Sequence, residues 1–195
     1  MSKAYSYDRL ERYDEAIDTW TRAVKVKPDL QTEQAAFSNI SRMYRETGRF
    51  DQSIKAYRQL IEIEIRWRKV DSNAAPSADL HAKELAELLA KVGRWEEAIA
   101  SYKQALALAT TASEESWAYA DLASLYERLR RYHEAVAAYN EAVTRQPEWP
   151  EPHFALGLIY AKLGRKEAAL NEQRVLTQLD PKMANVLRTR IVREH

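Results

Sequence analysis

The chain has 195 residues, with 30 Lys and Arg against 29 Asp and Glu, no Cys, 4 Gly, 6 Pro and 46% apolar residues. That composition suits a globular chain with a sizeable core, and it excludes wholesale disorder, collagen-like or low-complexity structure, a disulfide framework and thiolate chemistry. Charge balances in both halves, which leaves no electrostatic footprint for nucleic acid, and no run of eighteen apolar residues occurs, so no membrane span is expected. Gly and Pro are too scarce to punctuate an all-β fold, so the chain is predicted to be all-α, helices joined by short turns.

Taken in order, a first helix is predicted at Tyr13-Asp14-Glu15-Ala16-Ile17, closed by Pro28. A longer one opens at Phe50-Asp51-Gln52-Ser53-Ile54. Its stretch Ile61 to Trp67 alternates like a strand, but it continues an amphipathic run from Asp51 without Gly or Pro, and helix is predicted. Asp71 to Ser77 has turn composition, and Ser77 or Asp79 is placed to cap the helix that follows. Leu80 to Leu89 carries apolar residues at intervals of three and four, the stripe of a helix buried on one face. Further helices are predicted at Trp95-Glu96-Glu97-Ala98-Ile99, Tyr132-His133-Glu134-Ala135-Val136 and Lys166-Glu167-Ala168-Ala169-Leu170. Met183, Val186, Leu187 and Ile191 predict a last amphipathic helix.

These segments are copies of one another, spaced 37, 45, 37 and 34 residues apart. Three positions into each copy stands a small residue: Ala16, Ser53, Ala98, Ala135, Ala169. Nine positions before each copy stands another: Ala4, Ser41, Ala86, Ala123, Gly157. Aromatic residues recur at Trp20, Tyr57, Tyr102 and Tyr139, and again at Tyr7, Tyr44, Tyr126 and Tyr160. Small residues let two helix axes approach, and the aromatics fill the space between neighbouring pairs. Gly48, Gly93 and Gly164, with Arg130 at the equivalent place, fall where the first helix of each pair must end and reverse.

The pattern of Tyr119, Leu122, Ala123, Tyr126, Tyr132, Ala135, Tyr139, Ala142 and Pro147 resembles the tetratricopeptide repeat, whose unit is 34 residues. The resemblance covers nearly the whole chain. It implies an all-α, right-handed superhelical solenoid of antiparallel helix pairs, a single domain of about five repeats. These fall at about 1–33, 34–67, 79–112, 116–149 and 150–183, with an insertion at 68–78 and a capping helix at 183–194. Met1 falls at the fifth position of the first repeat, so either the natural protein begins mid-repeat or, as preferred, the chain is cut from a longer one with a signal, an anchor or further repeats. The compartment stays open, with the cytoplasm preferred.

No constellation for catalysis is found. His81, His133, His153 and His195 never stand three or four residues apart, as a helix-borne metal site would need, and no Gly-rich phosphate loop exists. Glu96-Glu97 and Glu114-Glu115 are read as first-turn acids, and Asn39-Ile40-Ser41 as a chance glycosylation match inside a helix. No enzyme activity, cofactor or metal is expected.

By resemblance, the first helices of the repeats line a concave groove through Ser38, Asn39, Arg42 and Arg45, then Lys83, Glu84 and Glu87, then Trp117, Asp121, Ser124 and Glu127, then Phe154 and Leu158. The lining runs from basic through acidic to apolar. The expected function is a non-catalytic protein-interaction scaffold holding a peptide or protein. The alternatives are a regulatory or substrate-recruiting module of a larger enzyme or sensor and, less favoured, an RNA-binding helical repeat. Against the carboxylate clamp with which some family members hold acidic chaperone tails, only Asn39 matches, and Glu84 and Asp121 would repel such a tail, so none is expected to bind. Self-association through the first repeat is left open. Arg42 and Arg45 have Glu46 and Glu84 as competing partners, Trp117 is expected to pack on the preceding helix, and the last helix is expected to reach Phe154 and Leu158.

Overall fold

The structure, a computed structural model, describes residues 12–26, 28–71 and 77–193. Ala4, Tyr7, His195 and residues 72–76, where the sequence predicts a turn, lie outside them. The described residues form ten helices and no strand, and the chain divides into two compact units, Met1–Leu108 and Ala109–His195.

In the first unit α1 (Tyr13–Val24) packs on α2 (Leu30–Glu46), α2 pairs with α3 (Phe50–Val70), α3 meets α4 (Ala78–Lys91), and α4 pairs with α5 (Trp95–Leu108). Ala16, Ile17, Trp20, Ala36, Ile40, Met43 and Ala56 form a core cluster against which Tyr13, Phe37 and Tyr44 lean. Fully burying one such large side chain stabilises the fold by roughly 1.5–3 kcal/mol. Where α2 and α3 come together, Ser53 and Ser41 are both buried and the Ser53 hydroxyl donates to the Ser41 carbonyl at 2.8 Å.

In the second unit α6 (Ala112–Arg128) pairs with α7 (Tyr132–Arg145), α7 meets α8 (Pro150–Lys162), α8 pairs with α9 (Lys166–Leu179), and α10 (Pro181–Arg193) packs on both α8 and α9. Ala161, Ala169, Leu176, Ala184, Leu187 and Ile191 make its terminal core. Gly157 admits α10: a Cβ there would stand 2.3 Å from Leu187 Cδ2, so only glycine leaves room for the buried leucine.

The four turns within helix pairs among the described residues are built alike. Gly48, Gly93, Arg130 and Gly164 have φ of 73°, 80°, 57° and 70°. The next residue, always Arg, donates its N–H back to the carbonyl of Tyr44, Leu89, Tyr126 or Tyr160 at 2.8–2.9 Å, which closes the helix C-terminus. The stretch that alternates like a strand is helical, since α3 runs unbroken to Val70.

Two helices start a turn earlier than the repeat register suggests. α2 begins at Leu30 because the Asp29 side chain accepts the Thr32 N–H, and α6 begins at Ala112 because Thr111 and Glu114 form a reciprocal capping box. Ser77 holds the cap position of α4 without a side-chain cap bond.

Candidate functional site

In the first unit the residues expected to line a groove sit on the accessible sides of α2 and α4. Ser38, Asn39, Arg42 and Arg45 are half-buried on α2; Lys83 and Glu84 are half-buried and Glu87 exposed on α4. Asn39 is tied down. Its amide donates to the Ala35 carbonyl at 2.7 Å, and its oxygen accepts from Arg42 at 3.3 Å. Arg42 also reaches Glu46 at 3.5 Å, so the local ion pair competes with any ligand as the sequence suggested. The glycosylation match lies inside α2, as the sequence reading placed it, and its Ser41 is buried.

Behind this face lies a polar network. Glu64 of α3 has no exposure at all; it accepts from the Gln34 amide of α2 at 3.1 Å and faces His81 Nδ1 of α4 at 3.0 Å. One buried carboxylate therefore links three helices. Burial works against protonation of His81, but the hydrogen bond and charge of Glu64, with Glu84 and Asp79 nearby, outweigh it and raise the His81 pKa. Tyr57, also buried, is pushed up to about 12, first by burial and then by the Glu84 carboxylate.

The second unit presents Trp117, Asp121, Ser124 and Glu127 on α6. Trp117 is 51% exposed, which corrects the expectation that it packs away on the preceding helix. With Gln146, Pro147, Glu148, Trp149 and Pro150 it lines a cavity of about 530 Å3. Lys162 of α8 donates to Glu127 of α6 at 3.0 Å, pairing the first helices of two successive repeats. Tyr139 behind them is pushed up to about 12, by burial first and then by the charge of Glu127.

Phe154 and Leu158 are half-buried against the terminal core. With Ala161, Lys162, Val186 and Arg190 they line a cavity of about 290 Å3, so α10 takes up part of the apolar surface they were expected to offer. Beside them His153 is buried. Its Nε2 donates to the Pro147 carbonyl at 3.0 Å and its Nδ1 faces a Glu172 carboxylate oxygen at 2.7 Å. Two acceptors on one ring call for the imidazolium, and the Glu172 hydrogen bond raises the pKa of His153.

Sequence reasoning passed over a recurring arginine. Arg12, Arg49, Arg94, Arg131 and Arg165 each stand immediately before a second helix of a pair, where Ser, Thr or Asp is the usual choice. Arg12, Arg94 and Arg131 pair with the carboxylate three residues on, while Arg49 reaches Asp14, and Arg94 reaches Asp51, of the preceding repeat. Hydrogen bonds from Arg94 and Arg58 hold the Glu97 carboxyl down to about 2. The signal was visible: an Arg before every copied segment. Among the described residues no group of three His, Asp or Glu could hold a metal ion, and no helix is long and apolar enough to cross a membrane.

The geometry agrees with known proteins. The tetratricopeptide repeat family is matched by one model over residues 77–148 and by another over residues 1–66 and 120–184. No curated protein matches the chain significantly by sequence. Among solved structures it is similar to a tetratricopeptide repeat protein from Parabacteroides merdae ATCC 43184, at 20% identity and a TM-score of 0.69, over 83% of this chain and 60% of that one. It thus spans about three fifths of that protein. It is also similar to MamA, at 17% identity and a TM-score of 0.65, over 95% of this chain and 98% of that one, and to a MamA chain from Desulfovibrio magneticus RS-1, at 15% and 0.55, over 92% and 94%. Two family matches that between them cover most of the sequence make this chain a member of the tetratricopeptide repeat family.

Proposed function

We propose that the chain is a non-catalytic scaffold that binds a protein or peptide along the accessible faces of its first-helix series, α2 and α4 in one unit and α6 and α8 in the other. One observation carries the reading: Trp117, a large aromatic, is left half exposed on α6 amid Asp121, Ser124 and Glu127. Such an aromatic anchor beside charged neighbours is what protein-binding hot spots use. The repeat architecture supports the reading, because stacked helix pairs offer extended surface without needing loops or deep pockets. No chaperone-tail clamp is proposed, since Glu84 and Asp121 stand where a carboxylate would have to sit.

Crosslinking mass spectrometry on a captured partner tests this. Crosslinks should fall on α2, α4, α6 or α8, and Arg42→Glu with Arg45→Glu, or Trp117→Ala, should lower capture at least tenfold. Crosslinks confined to α3, α5, α7 or α9, with these variants binding like the parent, would overturn it.

A further inference from the structure

The last helix carries a one-sided charge. Between Pro181 and Arg193, α10 holds Lys182, Arg188, Arg190 and Arg193 and no acid, and among the described helices it alone lacks an Asp or Glu in its first turn. The macrodipole accounts for Arg190 and Arg193 in the last turn but not for Lys182 in the first, where a cation is unfavourable. Among the described residues none of these four side chains has an ion-pair partner. At about 3.6 residues per turn, Lys182, Val186, Arg190 and Arg193 share one flank of α10, beside its buried stripe of Ala184, Leu187 and Ile191, and Arg188 falls on the opposite flank. The first flank meets α8. Val186, 49% exposed, and Arg190 line the cavity of about 290 Å3 with Phe154, Leu158, Ala161 and Lys162. Four of these six are apolar, two are cations and none is an acid. Lys162 already holds Glu127 at 3.0 Å, so Arg190 is the cation whose charge is unanswered.

We propose that this cavity docks an acidic segment of a protein partner, with one leucine-sized apolar side chain among Phe154, Leu158 and Val186 and a neighbouring carboxylate on Arg190. The inference rests on the protein-binding reading above and names the partner's chemistry at the α8 end of it. The cavity lies at the small end of ligand pockets, which suits a single side chain, and the guanidinium at its rim matches a carboxylate in shape as well as charge. The site is separate from the clamp excluded above, because its cations stand on α8 and α10. An anionic membrane would need the apolar stripe of α10 turned outward, whereas Ala184, Leu187 and Ile191 are buried in the terminal core. RNA would have no use for the apolar floor, and it would meet a chain whose net charge is only +1.

The test uses the full chain and N-acetyl-Glu-Asp-Leu-Asp-Glu amide as probe. Methyl NMR signals of Leu158 and Val186, assigned with Leu158→Met and Val186→Thr, should shift saturably. Peptides with Ala for the Leu, or with Gln and Asn for the acids, should bind about tenfold more weakly. Arg190→Glu should weaken the probe several-fold more than Arg188→Glu, which makes the same charge change on the opposite flank. Unmoved signals, equal shifts with the neutral peptide, or equal loss in the two arginine variants would overturn the proposal. So would Arg190-dependent sedimentation with vesicles of phosphatidylcholine and phosphatidylserine beside unmoved peptide signals, which would give this flank to a membrane. Crosslinks of a captured partner separate this inference from the broader one. A partner that crosslinks to α2, α4 or α6 and ignores Arg190→Glu, beside a probe that shifts nothing, sinks the acidic-peptide site and leaves the scaffold standing. A saturable, Arg190-dependent shift beside crosslinks confined to α3, α5, α7 or α9 keeps the site and sinks the scaffold.

Discussion

Arg130 occupies the position that Gly48, Gly93 and Gly164 hold in the other three turns, with a φ of 57° against their 70–80°. The comparison isolates one backbone term. A side chain in the left-handed region costs about 1–2 kcal/mol, whereas a glycine costs about 0.4–1 kcal/mol through the freedom it gives the unfolded chain. A Cβ built on Gly93 meets nothing within 4 Å, so Gly93→Ala changes conformational preference and no packing. It should lower stability by about 1 kcal/mol. Arg130→Gly runs the exchange in reverse, but it also removes a cation near a helix C-terminus worth about 0.3–1 kcal/mol, so the expected gain is about 0.5 kcal/mol. Urea denaturation followed by circular dichroism, with amide exchange at the ends of α4 and α6 to localise the effect, measures both. A Gly93→Ala variant as stable as the parent, or an Arg130→Gly variant clearly weaker than it, would refute the reasoning.

Gly157→Ala should loosen α10, because the new Cβ meets the buried Leu187; overpacking of about 1–3 kcal/mol exceeds the roughly 1 kcal/mol gained in helix propensity, and faster amide exchange in α10 measures it. His153 has a folded pKa raised above its unfolded value, so its contribution is fully present below about pH 6.5 and lost as pH rises through the higher folded value. Denaturation from pH 5 to 9 should show that decline, and His153→Gln should make it shallower, with His81, whose pKa is also raised, supplying the rest. His81→Leu leaves the buried Glu64 carboxylate with Gln34 alone and should cost about 3–5 kcal/mol, with Glu64→Gln in the same chain recovering part of the loss in a thermal melt.

The helix pairs were legible because they depend on local spacing. A small residue at Ala16, Ser53, Ala98, Ala135 and Ala169 marks where axes approach, and all five are buried. The left-handed turn residues were legible for the same reason, down to Arg130. Helix starts at Leu30 and Ala112 were not, since caps formed by Asp29 and by Thr111 with Glu114 extend helices beyond the repeat register. Long-range polar pairs such as Glu64 with His81, or His153 with Glu172, depend on helix rotation that no periodicity specifies. Trp117 was expected to be packed away and is half exposed, because its exposure depends on neighbours far along the sequence, the turn at Pro147 among them.

Glu64 has a consequence for how the chain avoids assembling incorrectly. Bricks this alike can pair with the wrong neighbour, within one molecule or between two, and oily surfaces alone would penalise such mistakes weakly. The carboxylate sealed among Gln34 and His81 has these partners because α2 and α4 both lie beside α3. An order that parts α3 from α2 and α4 takes those partners away, and a buried carboxylate left without them costs about 3–5 kcal/mol.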